Sequence, residues 1–310
     1  MRPGSPFVDQ QILRDHLTRL TSSTVLFDEP LDRHTSLRVG GPAWAWVWVK
    51  DLESLLKVLQ FSKEESLPIC MVGGGCNVLS KDEGFRGIVL NLRTPFFRRM
   101  EVIGETILEV GAGVSLEELV AFTRRRSLGG LEMMTGVPGT VGGAIAVNAG
   151  SHQRSIGDQV EEISFLNAKR EVVRLRKRDI PFEYRASHLP EGFVLGATLK
   201  VTPVDRVELD EQCRQFMLYK KKTQELVKPS AGCIFKNPKD SEKSSGELIE
   251  LAGLKGERVG DAQVSEKHAN FVVNLGRATS RDVFALIEKI QKRVKKNYGC
   301  DLELEVRLLP

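Results

Sequence analysis

A single cysteine stands among small residues in the segment KPSAGCIFKNPKD, residues 228–240, just ahead of an aromatic residue and a lysine. The thiol of Cys233 could pack in the interior, react as a redox group or hand a proton to a substrate. An unperturbed thiol has a pKa near 8.5, so it is mostly protonated at neutral pH and can act as an acid. Lys236 follows closely, and its positive charge would lower that pKa. The segment by itself leaves all three roles open.

Two glycine clusters are candidates for a ligand site. The first, VGGGCNVLS at 72–80, follows an apolar stretch, and consecutive glycines let backbone N–H groups approach an anion. It is not a dinucleotide-binding fingerprint, because Val78 occupies the third glycine position of G-x-G-x-x-G. The second, GVPGTVGGAIAVNAG at 136–150, is uncharged and long for an irregular segment of a compact domain. Cradling a large cofactor would explain it; a tight turn and a buried irregular loop remain the alternatives for the two clusters.

Two further segments carry charged residues whose roles the sequence leaves open or predicts to be structural. In FEYRASHLP, residues 182–190, Arg185 is either a surface ion-pair partner or a group that binds phosphate or stabilises an oxyanion. In LELEVRLL, apolar residues alternate with Glu303, Glu305 and Arg307, which predicts an edge strand with solvated carboxylates. The basic stretches YKKK and KRVKK are typical of solvated helix faces, and YKKK is the nearer of the two to the cysteine segment.

Composition and the missing motifs exclude several classes of protein. The 310 residues are 41% hydrophobic and 28% charged, which predicts a globular chain of two or three compact units. A net charge of +4 is too small to indicate nucleic-acid binding. There is no P-loop motif, and the histidines have no metal-ligand spacing, so we expect no metal site. With an odd number of cysteines, no CxxC pair and no apolar leader, we expect a reduced, cytoplasmic chain without a membrane segment.

Hydrophobic periodicity predicts alternating strands and helices in the first part of the chain. A polar helix is predicted at about residues 8–20 and is followed by the strand WAWVWV at 44–49. Next come a helix that begins at DLESLL, a strand that ends at the first glycine cluster, and the strand GIVLNL at 87–92. The order of strand, helix and strand predicts a βαβ unit. After Arg93 we expect a strand, ETILEVGAGV, and a helix with Ser115 and Glu118 in a capping box and Gly129–Gly130 at its end.

The last third of the chain is predicted to form a separate unit that begins between Pro203 and Asp210. It contains a basic helix, the cysteine segment, a capped helix, the strand HANFVVNLG, an amphipathic helix and the terminal strand. We therefore predict an α+β fold with an N-terminal subdomain at 1–92, a second subdomain at 93–204 and a C-terminal domain at 205–310.

Taken in order, seven segments resemble one family, the flavin-dependent UDP-N-acetylenolpyruvoylglucosamine reductases of peptidoglycan synthesis. They are HTSLRVGGPA (34–43), VGGGCNVL (72–79), GVPGTVGGAIAVNAG (136–150), YRAS (184–187), PSAGCIFKNP (229–238), GDAQVSEKHANFVVN (260–274) and LELEVR (302–307). Each motif alone is weak, whereas seven in family order, from about residue 24 to the C-terminus, are specific. The chain has no insertion between YRAS and the third unit, which resembles the shorter subtype of the family.

The resemblance implies two FAD-binding subdomains of the vanillyl-alcohol-oxidase-like type and a C-terminal α+β domain that closes over a UDP-sugar. NADPH would reduce FAD and leave, and UDP-N-acetylglucosamine enolpyruvate would enter the same pocket, taking hydride at C3 and a proton at C2 to give UDP-N-acetylmuramate. Arg185 matches the family's catalytic arginine, and Glu305, rather than Glu303, matches its acid. Cys233 stands where family members commonly have a serine that donates the proton.

The resemblance also implies the binding residues. FAD would be held by the two glycine clusters, through Gly73, Gly74, Gly75, Cys76, Asn77, Val78, Gly136, Pro138, Gly139, Thr140, Gly142, Gly143 and Ala144. The sugar substrate would be contacted by Tyr184, Lys221, Lys222, Lys236, Asn237, Gln263 and His268. Lysines stand before the cysteine segment where arginines are expected. A lysine can neutralise a diphosphate, but it lacks the two parallel N–H donors with which a guanidinium binds phosphate oxygens. No metal, nucleic-acid or membrane partner is expected, and a monomer is favoured.

Two other functions stay open at this point. A different FAD oxidoreductase on the same scaffold, such as an oxidase of small alcohols, would share the glycine clusters but would not need SAGCIFKNP and LELEVR together. The chain could also be a flavin- or UDP-sugar-binding regulator that has lost catalysis. The cysteine at position 233, where family members commonly have serine, would then be a sign of that loss. The presence of Arg185 and Glu305 argues against the regulator.

Overall fold

The computed structural model describes residues 10–151 and 154–309, so the first two residues of the predicted N-terminal helix, and His152, lie outside the described residues. The first unit consists of α1 Gln10–Leu20, β1 Thr24–Pro30, β2 Pro42–Trp48, α2 Leu52–Glu64, β3 Ile69–Met71, β4 Val78–Leu79 and β5 Phe85–Asn91. Its sheet has the order β1-β2-β5-β3, with β2 and β3 both parallel to β5. The predicted βαβ unit is confirmed, with β5 inserted between its two strands.

The second unit is built on a five-stranded antiparallel sheet of order β12-β11-β15-β7-β6. Its elements are β6 Met100–Ile103, β7 Ile107–Gly111, α3 Leu116–Arg125, β8 Leu128–Gly129, α4 Val141–Ala146, β9 Gly150–Ser151, β10 Arg154–Ser155, α5 Ile156–Gln159, β11 Val160–Asn167, β12 Val172–Arg176, β13 Phe182–Glu183, β14 Ala186–Ser187, β15 Gly192–Lys200 and β16 Thr202–Pro203.

Helix α3 begins where the sequence predicts and ends earlier. The capping box of Ser115 and Glu118 is present. The prediction that Gly129–Gly130 closes the helix is wrong, because α3 ends at Arg125 and Ser127 takes the left-handed conformation with φ +55°. Gly129 lies instead in β8, opposite Thr202 of β16.

The third unit carries a four-stranded antiparallel sheet of order β17-β20-β19-β18. Its elements are α6 Arg206–Thr223, β17 Ser230–Cys233, α7 Ser245–Leu251, β18 Arg258–Val259, β19 Ala262–Val264, β20 Phe271–Asn274, α8 Ser280–Tyr298 and β21 Arg307–Leu308. The mixture of helices and mostly antiparallel strands confirms the α+β prediction. No helix among the described residues is both long and apolar enough to cross a membrane.

The C-terminal segment is not the regular edge strand that its alternation predicts. Leu304 forms an isolated bridge with Phe235, and only Arg307–Leu308 pairs as a strand, with β4 of the first unit. By the alternation Leu308 should face the same way as the buried Leu302 and Val306, but it is 46% exposed, and Glu305 turns inward with a side chain only 15% exposed. The segment changes partner between two units, and this breaks the period of two.

Buried apolar side chains form two main clusters that cross the predicted boundaries. The larger joins the first and second units and includes Leu209 and Cys213 of α6. The other fills the third unit and includes Leu37, Val39 and Leu79 of the first unit. The boundary at 204/205 stays a prediction, while the buried face of α6 packs with the second unit.

Hydrogen bonds tie the third unit to the first. Ser36 Oγ donates to the carbonyl oxygen of Ser230 at 2.7 Å, and Asn274 Nδ2 donates to that of Leu37 at 3.1 Å. Asp82 accepts from the backbone N–H of Ser280, at the start of α8, at 2.7 Å. These contacts fix the geometry of the cleft between the units.

Candidate active site

A cleft of about 1090 Å³ lies where the three units meet. The first unit contributes the His34 segment and the start of the first glycine cluster, the second contributes Gly136 and Arg185, and the third contributes Cys233 and Glu305. A second cavity of about 330 Å³ adjoins it, since Gly73 and Arg93 line both. A concave site at the junction of units is a common position for a ligand.

The three residues predicted to carry the chemistry, Arg185, Cys233 and Glu305, all line this cleft. Nε of Arg185 lies 2.7 Å from Oε1 of Glu305, which is an ion pair, although its N–H is not aligned for a hydrogen bond. The guanidinium also lies 5.4 Å from the ring centroid of Tyr184. These partners hold a partly buried cation on the same cleft as the thiol.

The environment of Cys233 keeps its proton on the sulfur. Burial raises the pKa of the Cys233 thiol to about 12, and the negative charge of Glu305 acts in the same direction while Arg185 opposes it. The expectation that Lys236 lowers this pKa is wrong: the pKa is raised, Lys236 is not among the groups that shift it, and its Nζ is paired with Oε1 of Glu303 at 2.6 Å. The thiol is therefore a protonated acid at neutral pH.

Glu305 and Glu303 occupy opposite environments. The side chain of Glu303 is 74% exposed, whereas burial raises the pKa of Glu305 against the opposing effect of Arg185. The backbone N–H of Glu305 donates to the carbonyl oxygen of Ile234 at 2.8 Å, and Asn77 Nδ2 donates to the Glu305 carbonyl at 3.1 Å. The enclosure that Glu305 needs in order to be protonated is thus present.

The turn at the first glycine cluster suits the diphosphate of FAD. No acceptor is found within the described chain for the backbone N–H groups of residues 73–77. Successive unpaired N–H groups in a turn form an anion-binding nest. A Cβ on Gly73 would lie 2.3 Å from Oγ1 of Thr140, and one on Gly74 would lie 2.8 Å from Cα of Gly139. The two glycine clusters therefore approach more closely than side chains would permit, and they fit the predicted cofactor.

The predicted FAD residues differ in their access to the cavities. Those that line one or both are Gly73, Gly74, Gly136, Pro138, Thr140, Gly142 and Gly143. The others support the turns: a Cβ on Gly75 would lie 1.9 Å from the His34 carbonyl oxygen, Cys76 Sγ donates to the Gly74 carbonyl, and Ala144 is packed in the core. Val78 belongs to β4, Asn77 holds the C-terminal segment, and Gly139 makes the close approach to Gly74.

The predicted substrate residues also differ in whether they line the cleft. Asn237 and His268 line the cleft. Tyr184 does not line it, but its hydroxyl accepts from the N–H of Asn237, which does, at 3.5 Å. Gln263 donates to the Gly256 carbonyl at 3.2 Å and does not line the cleft. Lys236, paired with Glu303, does not line it either.

Lys221 and Lys222 point to solvent, whereas Lys220 lines the cleft and is 3% exposed. Among the described residues no side chain or carbonyl is seen to pair with its ammonium, which faces the cleft and is not sealed in the core. Burial, and then the charge of Arg185, lowers the pKa of Lys220 to about 8. Sequence reasoning noted the YKKK run, but a helix turns by about 100° per residue and only the fold shows which lysine faces inward.

An aromatic wall that sequence reasoning did not assign closes one side of the cleft. The His34 ring stacks on Trp46 with centroids 3.8 Å apart, and its Nε2 lies 2.8 Å from Oε1 of Glu29. Trp46 and Trp48 both line the cleft. The alternating tryptophans of WAWVWV are the signal that could have located this wall.

Comparison with known proteins identifies the family. The model of the UDP-N-acetylenolpyruvoylglucosamine reductase C-terminal domain matches residues 224–309, and an FAD binding domain model matches residues 43–176. UDP-N-acetylenolpyruvoylglucosamine reductase 2 of Symbiobacterium thermophilum is 45% identical over 90% of each chain. The reductase of Syntrophus aciditrophicus is 39% identical over 98% of each chain.

A solved structure agrees with these matches. The crystal structure of UDP-N-acetylenolpyruvylglucosamine reductase from Thermus caldophilus superimposes with a TM-score of 0.79 at 34% identity, covering 93% of this chain and 99% of that chain. The matches confirm the predicted fold class, an FAD-binding unit followed by a substrate domain. The chain therefore belongs to the UDP-N-acetylenolpyruvoylglucosamine reductase family.

Proposed function

We propose that Cys233 donates the proton that completes the family's reaction in this chain. The chain is an FAD-dependent oxidoreductase that uses NADPH to reduce UDP-N-acetylglucosamine enolpyruvate to UDP-N-acetylmuramate in peptidoglycan synthesis. Reduction requires hydride at C3 and a proton at C2 of the enolpyruvyl group. The observation that supports the proposal is the position of Cys233 on the same cleft as the Arg185–Glu305 ion pair.

Bound FAD supplies the hydride for C3. The residues proposed to hold it are the backbone N–H groups of residues 73–77, which suit its diphosphate, and Thr140, Gly142 and Gly143, which line the adjoining cavity. Their lack of bulky side chains lets the backbone approach the cofactor closely.

Cys233 holds the proton until charge develops on C2. A thiol whose pKa is raised to about 12 stays protonated at neutral pH, so the acid form is always available. It is a weaker acid than a free thiol, but addition of hydride to C3 makes C2 strongly basic and so favours the transfer. The thiolate left behind takes its next proton from solvent entering the cleft.

Arg185 and Glu305 are proposed to stabilise the negative charge shared between C2 and the substrate carboxylate. A guanidinium fixed in a poorly solvated site stabilises developing charge without reorganisation. Glu305, whose pKa is raised by burial, donates a hydrogen bond when neutral. The ion pair holds the guanidinium in place before the substrate enters.

Substrate is proposed to bind through Lys220, Asn237 and His268, which line the cleft. A buried ammonium without a partner is costly unless an anion compensates it, and the substrate carries a diphosphate and a carboxylate. We extend the predicted lysine contact from Lys221 and Lys222 to Lys220 for this reason. NADPH, which is also a diphosphate, would use the same cation in the first half-reaction.

The test follows both half-reactions in the holoenzyme under anaerobic conditions by the visible flavin band. We expect NADPH to bleach the band and UDP-N-acetylglucosamine enolpyruvate to restore it. In C233S the second phase should stay within about tenfold of the wild-type rate, and in C233A it should fall by about 10²-fold or more, the usual effect of losing a positioned acid. Bleaching by NADPH should be unchanged in both variants.

Cys300→Ala is the matched control, because Cys300 lies in the third unit and does not line the cleft. Near wild-type return of the flavin band in C233A would remove Cys233 from the mechanism. A wild-type band that bleaches and stays bleached would instead show that the second half-reaction is absent.

We further propose that the enzyme works as a monomer in the cytoplasm. The cytoplasmic location is supported by the substrates, because both are nucleotide-linked metabolites. Sedimentation of the holoenzyme and fractionation of the cells would test these points.

A further inference from the structure

Arg185 occupies a turn position that does not favour an arginine. It is the second residue of the two-residue turn between Glu183 and Ala186, and its φ is +55°. A positive φ at the second residue of a two-residue turn is usually taken by glycine or asparagine. The left-handed conformation is unfavourable for a residue with a side chain. Such a conformation persists where neighbouring contacts hold it.

Asn148 contacts the residue that precedes this turn, Glu183. Its Nδ2 donates to the carbonyl oxygen of Glu183 at 2.7 Å, and its Oδ1 accepts from the backbone N–H of Gly157 at 3.1 Å. Asn148 is 5% exposed and follows α4, the helix that begins in the second glycine cluster. On the other side of the turn, Ser187 Oγ donates to the Ala146 carbonyl at 2.9 Å. The arginine turn is therefore fastened at both ends to the C-terminal end of α4.

The orientation of the Asn148 amide is determined by its partners. A backbone carbonyl can only accept and a backbone N–H can only donate, so Nδ2 must face Glu183 and Oδ1 must face Gly157. The packing is close, since a Cβ on Gly157 would lie 2.6 Å from Oδ1 of Asn148 and 2.7 Å from the Phe182 ring. The side-chain amide is thus closely packed against Gly157.

We propose that Asn148 is a positioning residue for Arg185, acting through the Nδ2–H···O=C hydrogen bond to Glu183. This bond holds the turn in the left-handed conformation that brings the guanidinium to Glu305. Asn148 touches neither the reacting atoms nor Arg185 itself. The inference rests on the function proposed above for Arg185.

Two substitutions separate the hydrogen bond from the backbone conformation. Asn148 has φ +47°, which asparagine, aspartate and glycine tolerate. N148D keeps an acceptor for Gly157 but loses the donor whenever the carboxyl is ionised. N148G keeps the conformation and removes both bonds.

The rate of flavin reoxidation by the enolpyruvyl sugar is measured in the holoenzymes between pH 6 and pH 8, as a ratio to wild type at each pH. We expect N148D to fall by about 10²-fold at pH 8, the cost of a misplaced catalytic group. It should recover by about tenfold towards pH 6, because burial raises the pKa of the new carboxyl and its neutral form can donate to Glu183. N148G should fall similarly and show no recovery. Reduction of FAD by NADPH should be unaffected in both.

Asn167→Asp is the matched control, because Asn167 also bonds through both side-chain atoms, to Glu171 in a surface turn of the same unit. N148G at the wild-type rate would overturn the proposal by showing that only the conformation matters. N148D without pH-dependent recovery would overturn the donor role, and loss of turnover in proportion to loss of bound FAD would show a structural role instead.

Arg185→Ala separates this inference from the proposed function. If R185A reoxidises at the wild-type rate, the role proposed for Arg185 fails. If R185A is slow while N148D and N148G are normal, only the positioning role of Asn148 fails.

Discussion

Lys220→Met should make the FAD-free protein more stable while weakening its binding of anionic ligands. Methionine has a similar length to lysine and no charge. In the folded protein the pKa of Lys220 falls from its ordinary 10.5 to about 8 because the ammonium is buried and faces Arg185. A fall of this size corresponds to about 3 kcal/mol of destabilisation by the charged form, since one pKa unit is worth about 1.4 kcal/mol.

The sign of the pH dependence follows from proton binding. Between the folded pKa of about 8 and the unfolded 10.5, the unfolded chain binds more protons, so the stability of the wild type rises with pH. Below pH 8 the full cost of the charge is present. The variant should therefore be more stable than the wild type by up to about 3 kcal/mol at pH 7, and the difference should vanish as the pH rises towards 10.5.

Urea unfolding of the two FAD-free proteins at pH 7, 9 and 10.5 measures this difference. Lys221→Met is the control, because Lys221 is exposed and its removal should change stability by at most about 0.5 kcal/mol. In steady-state assays of the holoenzymes, K220M should raise the KM for the enolpyruvyl sugar by about tenfold or more, as expected for loss of a charged contact. Equal stability of K220M and wild type at pH 7, or a difference independent of pH, would refute the account of Lys220 as a buried, uncompensated cation.

Two further changes test the cofactor turn and the acid. Gly74→Ala should weaken FAD binding by about tenfold or more, because the added Cβ would lie 2.8 Å from Cα of Gly139 and must push the two turns apart; flavin absorbance per protein measures this. Gly246→Ala is its control, as the nearest atom to that Cβ lies at 3.5 Å, and equal flavin content in G74A and G246A would contradict the reasoning. Glu305→Gln should lower the limiting rate of flavin reoxidation by about tenfold and remove its pH dependence, since the wild-type rate should fall as the pH rises through the raised pKa of Glu305. If the limiting rate of flavin reoxidation in E305Q falls with rising pH as much as it does in the wild type, the titrating group is not Glu305.

Local features of the chain could be read from the sequence because they depend on neighbours within a few residues. The capping box of Ser115 and Glu118, the βαβ order and the amphipathic helix α8 are of this kind. The glycine clusters were also recognisable, because backbone proximity to a phosphate or to another turn requires glycine. Together with the family motifs, they predicted the fold class, FAD and the residue types of the catalytic group.

Only the tertiary structure decided which of several similar residues face the cleft. Lys220 and not Lys221 lines it, because the direction in which α6 packs sets the side of the helix that is buried. The family resemblance had already favoured Glu305 over Glu303 as the acid, but only the structure shows that Glu305 is enclosed. It is enclosed because the C-terminal segment pairs with the cysteine segment and with Asn77, which is 228 residues away.

The pKa values of Cys233 and Glu305 are raised by burial, which no local pattern encodes. The role inferred for Asn148 likewise depends on a contact with Glu183 across the second unit. Sequence determines the residues and their local conformation, whereas solvation, charge and orientation at the site arise from contacts between segments that are distant in the chain.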